Sequence, residues 1–455
     1  MFQATTASAG PDLYPDDPLP YLQGLYEVVP WERIIYILTQ TGRASKRNRR
    51  LPAPSVTWLV IAMSLWANLS IPQVWRRLHP TLEDAEPSES ALAQARKRLG
   101  VAPLRQLFLQ TARPMATHQT PGAFYRGWRL MALDGSVLDL PDSDANARVF
   151  GRPDTSRAPG AYPQVQLLAL CELGTHAVCG LAIKPIHCSE VAMVPSLLEL
   201  LEPGMLLIWD RGFFSYDLIH AVCERGAHLL ARVKSNTVLT PLQRLVDGSF
   251  LAKIYPSPRD RDHDRHGFLV RVIEYTHDDP HRPGMGERHR LITDILNPND
   301  LPAQEAPLVY HERWEEELTF DEIKTHLNGR RVPIRSQTPG GVVQEIYGLM
   351  LAHYIVRRVM HDAAVAGQVD PDRLSFTNSW RILQCQLPES PQQAPAVWYR
   401  CLLREVRRQV LRPRRQRWYP RVIKKKMSNW QKKRPEHRRP PQPTKPFREA
   451  VVILI

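Results

Sequence analysis

The chain has 455 residues, 43% of them hydrophobic, and a formal net charge of +14 from 60 Lys+Arg against 46 Asp+Glu. That length allows two to four domains of roughly 100–200 residues, and the basic balance points to a polyanionic partner, most often nucleic acid. Six cysteines without a CxxC pair or zinc-finger spacing argue against a disulfide scaffold. The start MFQATTASAGPD has no signal pattern, and the longest early apolar stretch, residues 58–69, is too short and interrupted to span a bilayer. The expectation is a soluble cytoplasmic protein with reduced thiols and no membrane partner.

In chain order, residues 1–25 are rich in Pro and Asp and read as a loose arm. Residues 26–120 read as helical. TWLVIAMSLWANLS, from Thr57, has a helical apolar pattern, IPQVWRRL starts a second helix at Ile71, and Ser88 is a plausible N-cap for a third, ESALAQARKRLG, that ends at Gly100. The third carries Gln94, Arg96, Lys97 and Arg98. Three short helices ending in a basic one fit a helix-turn-helix-like DNA module, and they fit an ordinary bundle with a solvated basic face equally well.

From Tyr125 the pattern changes to strands. RLMALDGSVLDL is an apolar run interrupted at Asp134-Gly135. AYPQVQLLALCEL and HAVCGLAIKPI read as a hairpin around Gly174-Thr175. VPSLLELL reads as a helix, and the stretch from Met205 to Ser235 reads as strand, turn, helix and strand. Together these predict a mixed α/β sheet. Residues 236–308 break the rhythm and read as an insertion with its own strands, FLVRVIEYT and RHRLITDIL. A helical stretch is expected from Tyr310 to about Leu327, and a buried helix over GGVVQEIYGLMLAHYIVRRVM. Residues 401–450 then carry 18 Lys+Arg against 3 Asp+Glu, which concentrates the chain's whole positive excess in a basic arm interleaved with Trp418, Tyr419 and Trp430. The predicted organisation is a helical N-terminal DNA-binding domain (1–122), an α/β catalytic domain (123–365) interrupted by a β-rich insertion (236–308), and a helical region with the basic arm (366–455).

Two carboxylates stand where apolar strands are expected to end: Asp134 after LMAL and Asp210 after MLLIW. Buried-strand carboxylates are costly without a cation or donors, and two on neighbouring strands make a hard oxygen site suited to Mg²⁺. Each could equally open a turn, since Asp-Gly and Asp-Arg-Gly are common turn chemistry. In YHERWEEELTFDEIK, Tyr310, Arg313, Glu317 and Lys324 are spaced so that a continuous helix would gather them on one face, within roughly 60°. A salt-bridged solvated face has the same spacing, and neighbouring glutamates keep charge alone from singling out Glu317.

This segment resembles the Y-x2-R-x3-E-x6-K signature of insertion-sequence-four-type DDE transposases at all four positions, with Trp314 also fitting. Asp134-Gly135 and Asp210-Arg211-Gly212 resemble the family's first and second acidic motifs, in the same order. The resemblance covers roughly residues 55–365. It implies an RNase H-like core in which Asp134, Asp210 and Glu317 hold two Mg²⁺ ions, with Mn²⁺ as a substitute. It further implies that Tyr310, Arg313 and Lys324 bind DNA phosphates, and that Arg232 and Lys234, in ARVKS, contact the DNA backbone. The partners implied are double-stranded DNA (terminal inverted repeats and target) and a second copy of the chain. A non-catalytic DNA-binding derivative and a nuclease without strand transfer are the rival readings. In relatives, a base flipped at a hairpin end stacks on a tryptophan of the insertion. Residues 236–308 contain none, leaving Tyr255, Phe268 or Tyr275 as the available rings.

Overall fold

The computed structural model describes residues 19–45, 50–79, 86–154, 160–279, 285–327, 334–412 and 443–454. Most of the expected N-terminal arm and the core of the basic segment, with Trp418, Tyr419 and Trp430, lie outside the described residues. The helices and strands in chain order are α1 (Trp31–Gln40), α2 (Ala53–Leu65), α3 (Ile71–Leu78), α4 (Glu89–Leu99), α5 (Ala102–Thr111), β1 (Phe124–Tyr125), β2 (Trp128–Asp139), α6 (Asp144–Phe150), β3 (Gln164–Glu172), β4 (Ala177–Pro185), α7 (Glu190–Met193), α8 (Pro195–Leu198), β5 (Met205–Trp209), α9 (Tyr216–Glu224) and β6 (His228–Arg232). Then follow β7 (Gln243–Arg244), β8 (Phe250–Ile254), α10 (Pro258–Asp262), β9 (Phe268–His277), β10 (His289–Thr293), α11 (Ala306–His311), α12 (Trp314–Asp321), α13 (Pro339–Gly367), α14 (Phe376–Gln386), α15 (Pro395–Arg407), α16 (Phe447–Ala450) and β11 (Val451–Ile453). No helix among the described residues is long and apolar enough to cross a membrane.

The chain divides into two compact units. One comprises the residues up to Ala123, Asp134–Met193 and Glu315–Val410; the other comprises Phe124–Leu133, Val194–Trp314 and the residues from Leu411 onward.

The first unit is mainly helical. The local start and stop signals expected for α3 and α4 are present: Ser70 and Gln73 form a reciprocal capping box, Ser88 accepts the Ala91 N–H, and Gly100 ends α4 with φ 72°. Helix α2 is buried on every side from Pro54 to Leu65 and packs against α13, which was expected as a buried helix and is 29 residues long. At their crossing a Cβ on Gly348 would lie 2.6 Å from the Val60 carbonyl oxygen, so only glycine permits this approach. Gly348→Ala is therefore expected to destabilise the protein by about 1–3 kcal/mol through overpacking, measurable as a lowered urea midpoint.

Polar side chains finish these buried helix ends. Arg335 donates to the carbonyls of Met63 (2.8 Å), Ala67 (3.2 Å) and Leu69 (2.7 Å) beyond α2, and Gln344 donates to Arg96 and Gly100 at the end of α4. Arg96, one of the cations expected on a DNA-facing surface, is instead buried, with its guanidinium on Glu345 (3.1 Å) and Ser336 (2.9 Å). Gln94, Lys97 and Arg98 remain exposed.

The hairpin β3–β4 forms in this unit as expected, from Val165↔Pro185 to Glu172↔Ala177. Its left-handed residue is His176 (φ 56°), while Gly174 is required for a different reason: a Cβ there would meet the Ala123 backbone at 2.5 Å.

The second unit carries the parallel strands. Residues 129–133 of β2 run parallel to β5, and β5 runs parallel to β6. The insertion does not build a separate sheet. β10 pairs antiparallel with β6, and β9, β8 and β7 follow in order. Tyr275 of β9 faces His289 of β10 on one edge and Ile453 of β11 on the other, so the terminal VVI segment is a paired strand. The helix expected over VPSLLELL reduces to the single turn α8.

Candidate functional site

In the second unit, the five buried residues of β5 deliver Asp210 to the strand end, as expected. Asp210 caps the turn Arg211–Phe213, and its Oδ1 accepts the Gly212 N–H at 2.6 Å. A Cβ on Gly212 would sit 2.8 Å from that same oxygen, so the glycine keeps the carboxylate uncrowded. Tyr310 is half-buried and hydrogen-bonded to Arg313. Burial raises its hydroxyl pKa, Arg313 and Arg232 oppose that rise, and Asp210 adds to it. Tyr310, Arg313, Arg232 and Asp210 thus act on one another electrostatically, which brings four of the residues singled out in the sequence into one neighbourhood. Arg232 also donates to His289 Nδ1 at 2.9 Å, which fixes its guanidinium. Lys234 is exposed; its backbone carbonyl, with those of Ser235 and Thr237, accepts from Arg290. Arg290 was not anticipated as the organiser of this loop. Among the rings considered for base stacking, Tyr275 is buried and unsuitable, while Tyr255 and Phe268 are half-buried.

In the first unit, Asp134 does not end its strand. β2 continues through it to Asp139, because alternation tolerates a half-buried polar pair in mid-strand. Asp134 Oδ1 accepts the Gly135 N–H at 2.8 Å. A Cβ on Gly135 would meet the Glu190 carboxylate at 1.9 Å, and Glu190 accepts from Gln166 at 2.8 Å.

The single helix expected from Tyr310 to Leu327 is also corrected. α11 ends at His311, α12 begins at Trp314, and Glu322–Leu327 wind as a π-helix. The four signature residues therefore do not share one continuous α-helical face; Tyr310 and Arg313 belong to the second unit, Glu317 and Lys324 to the first. Within the first unit, Lys324 Nζ donates to Ser136 Oγ at 3.1 Å, which places the lysine two residues from Asp134 along β2. Glu316 turns inward and is fully buried against Cys171. Burial, then Glu316, push that thiol well above its ordinary range, so Cys171 is an inert buried thiol.

A buried ionic network that the sequence did not reveal lies beside this segment. His176 Nε2 meets Glu315 Oε2 at 2.8 Å and Asp372 Oδ1 at 3.2 Å, and its Nδ1 meets Glu322 Oε1 at 3.2 Å. Glu322 also accepts from Arg357 Nε (2.8 Å) and faces His353 Nε2 (3.1 Å). His176, Glu315 and Asp372 have metal-like spacing, with ligand atoms within 4.8 Å of one another. The Arg357 guanidinium lies 3.9 Å from Asp372 and supplies positive charge there, so the group reads as an ion-pair network. Burial and Arg357 oppose charge on His176, but Asp372, Glu322 and Glu315 outweigh them and raise its pKa to about 9. Since that exceeds the unfolded value of about 6.5, the stabilisation is complete below about 6.5 and is lost as pH rises through about 9. The melting-temperature gap between the native chain and His176→Gln is accordingly expected to be widest near pH 6 and to narrow by pH 10. The only sequence signal was a histidine within a tight turn, Gly174-Thr175-His176.

Residues 127–355 match the transposase DDE domain family, and residues 20–109 match the insertion element 4 transposase N-terminal family. The chain belongs to the DDE transposases: it has an RNase H-like α/β core and is a DNA transposase, an enzyme that binds DNA and uses divalent metal. Within that class it is of the insertion-sequence-four type. It is 29% identical to "Transposase InsG for insertion sequence element IS4" of Escherichia coli (strain K12) over 89% of this chain and 92% of that one. It is also 31% identical to "Putative transposase InsZ" of the same organism, over 47% of this chain and 72% of the relative. Among solved structures it is similar to a piggyBac transposase synaptic complex with hairpin DNA, at TM-score 0.42 and 14% identity, over 87% of this chain and 86% of the other.

Proposed function

We propose that Asp134, Asp210 and Glu317 are the metal-binding acids of this transposase, that Mg²⁺ is the ion used in the cell with Mn²⁺ as a substitute, and that two copies of the chain act together on the terminal inverted repeats of their own element. The observation that carries this reading is the complete Tyr310–Arg313–Glu317–Lys324 signature following two acidic motifs in order. The donor set fits such ions, since three carboxylates offer hard oxygens. When bound, the ions activate the attacking oxygen and stabilise the leaving one at each phosphodiester step.

The chain's own residues prepare that chemistry. The backbone N–H bonds to Asp134 and Asp210 fix one oxygen of each carboxylate. Arg313 offers a bidentate fork to a phosphate, Lys324 a point charge, and Tyr310 a hydroxyl that stays protonated at neutral pH. Arg232 and Lys234 contact the DNA backbone further along. Water attacks first to free a 3′-hydroxyl, and that hydroxyl then attacks a second phosphodiester. Residues 1–122 supply DNA contacts, with Gln94, Lys97 and Arg98 of α4 as the exposed candidates, and the basic segment within 366–455 adds backbone affinity.

The experiment is cleavage of a supercoiled plasmid carrying the element's flanking ends, with Mg²⁺, with Mn²⁺ and with chelator. Metal-dependent breaks mapping to the ends, followed by joining to a second plasmid, are expected. Binding to the ends without cutting under any divalent ion would instead mark a DNA-binding derivative, and cutting without joining would mark a nuclease.

A further inference from the structure

The network around His176 brackets the third acidic position. Glu315 stands two residues before Glu317 and Glu322 five residues after it, and His176 contacts both through opposite ring nitrogens. The ring is held by a rigid mount. Thr175 Oγ1 donates to Glu172 Oε2 at 2.6 Å, and that oxygen also accepts the Met115 (2.9 Å) and Ala116 (3.0 Å) N–H groups. On the other side, Arg357 and His353 of α13 hold Glu322 at the start of the π turn. Glu315 and Glu317 lie about 200° apart around an α-helix, so anchoring the first directs the second to the opposite side. Rotation or sliding of α12 would break ion pairs at both ends of the bracket at once. Without such a bracket this segment has little to fix its rotation, because it joins a break at residues 312–313 to an irregular π turn.

We propose that His176 is a positioning residue for transposition: by clamping Glu315 and Glu322 it sets the rotation of α12 and the π turn, and so the direction in which Glu317 and Lys324 point. The proposal rests on the reading of Glu317 as a metal ligand. Asp372 is the clamp's backstop, touching His176 and Arg357 but neither glutamate in the contacts described here. Residues of this kind typically cost 10–100-fold in metal affinity or activity when changed.

The test uses the full chain as His176→Gln, Asp372→Asn and Glu317→Gln. Each is measured for single-turnover cleavage of an end-containing duplex, affinity for that duplex, calorimetric Mn²⁺ binding and melting temperature. His176→Gln is expected to cut about tenfold or more slowly and to bind Mn²⁺ several-fold more weakly, with end affinity unchanged. Asp372→Asn should shift both in the same direction by less. A purely structural role would lower the melting temperature yet leave the Mn²⁺ affinity of the folded protein at the native value, and that result overturns the proposal. If His176→Gln does not fold, Asp372→Asn decides: cleavage and Mn²⁺ affinity within twofold of native also overturn it. Glu317→Gln separates the two layers. If it is inactive while His176→Gln is normal, the positioning role alone fails; if it cuts like the native chain, the reading of Glu317 fails and takes the positioning role with it.

Discussion

Glu317→Gln is expected to bind the element's ends with native affinity and to cut them at least about a thousandfold more slowly, a loss of roughly 4 kcal/mol in transition-state stabilisation. The substitution removes a negative charge and leaves shape almost unchanged. Glu317 is half-buried and lies between the inward-facing Glu316 and Thr319, whose contacts hold the helix without it. Folding should therefore be little affected, and the melting temperature should stay near that of the native chain. Gel-shift affinity and single-turnover cleavage, measured on the same preparation, check the two halves separately. Loss of binding in parallel with cutting would mean that Glu317 supports the fold or the DNA contact rather than the metals.

Arg357→Met should have the largest effect on stability, about 3–5 kcal/mol, because it breaks a buried ion pair from one side. Arg357 is 2% exposed. Burial by itself would raise the Glu322 carboxyl; Arg357 first, then His176 and His353, hold it well below the ordinary carboxylate range. Without the guanidinium, three acids share one protonated imidazole. The double variant Arg357→Met/Glu322→Gln should therefore be less destabilised than the sum of its parts, since the second change removes the charge that the first strands. Urea unfolding of the two single variants and the double variant gives the coupling directly, and strict additivity would show that Arg357 acts only through packing.

What the sequence disclosed about this fold was local. The capping box at Ser70, the stop at Gly100, the hairpin around residues 174–176 and the strand leading to Asp210 all depend on neighbours within a few positions. The partnerships that span hundreds of residues left no such trace. Arg96 had the composition of a DNA-facing cation, and only the placement of Glu345 makes it a buried strut. The strands after residue 236 looked like a separate insertion because nothing local says that β10 will pair with β6. The site was legible in residue type and spacing but not in shape. A regular helix was the simplest geometry for Tyr310, Arg313, Glu317 and Lys324, whereas the chain breaks at 312–313 and overwinds after Asp321. The His176 network was invisible for the same reason: its members come from four separate stretches of the chain.

The π turn at Glu322–Leu327 also bears on how this enzyme can be engineered. A π turn holds about one more residue than the α-helical turn it replaces and is a poorer hydrogen-bonding geometry. Deleting a single residue within it would allow an ordinary helix and rotate everything beyond by about 100°. A thermostability screen would reward that deletion, and a transposition screen would discard it. Variants of this protein selected only for expression or heat resistance should thus be sequenced across 322–327 first, because that is where robustness and activity pull apart.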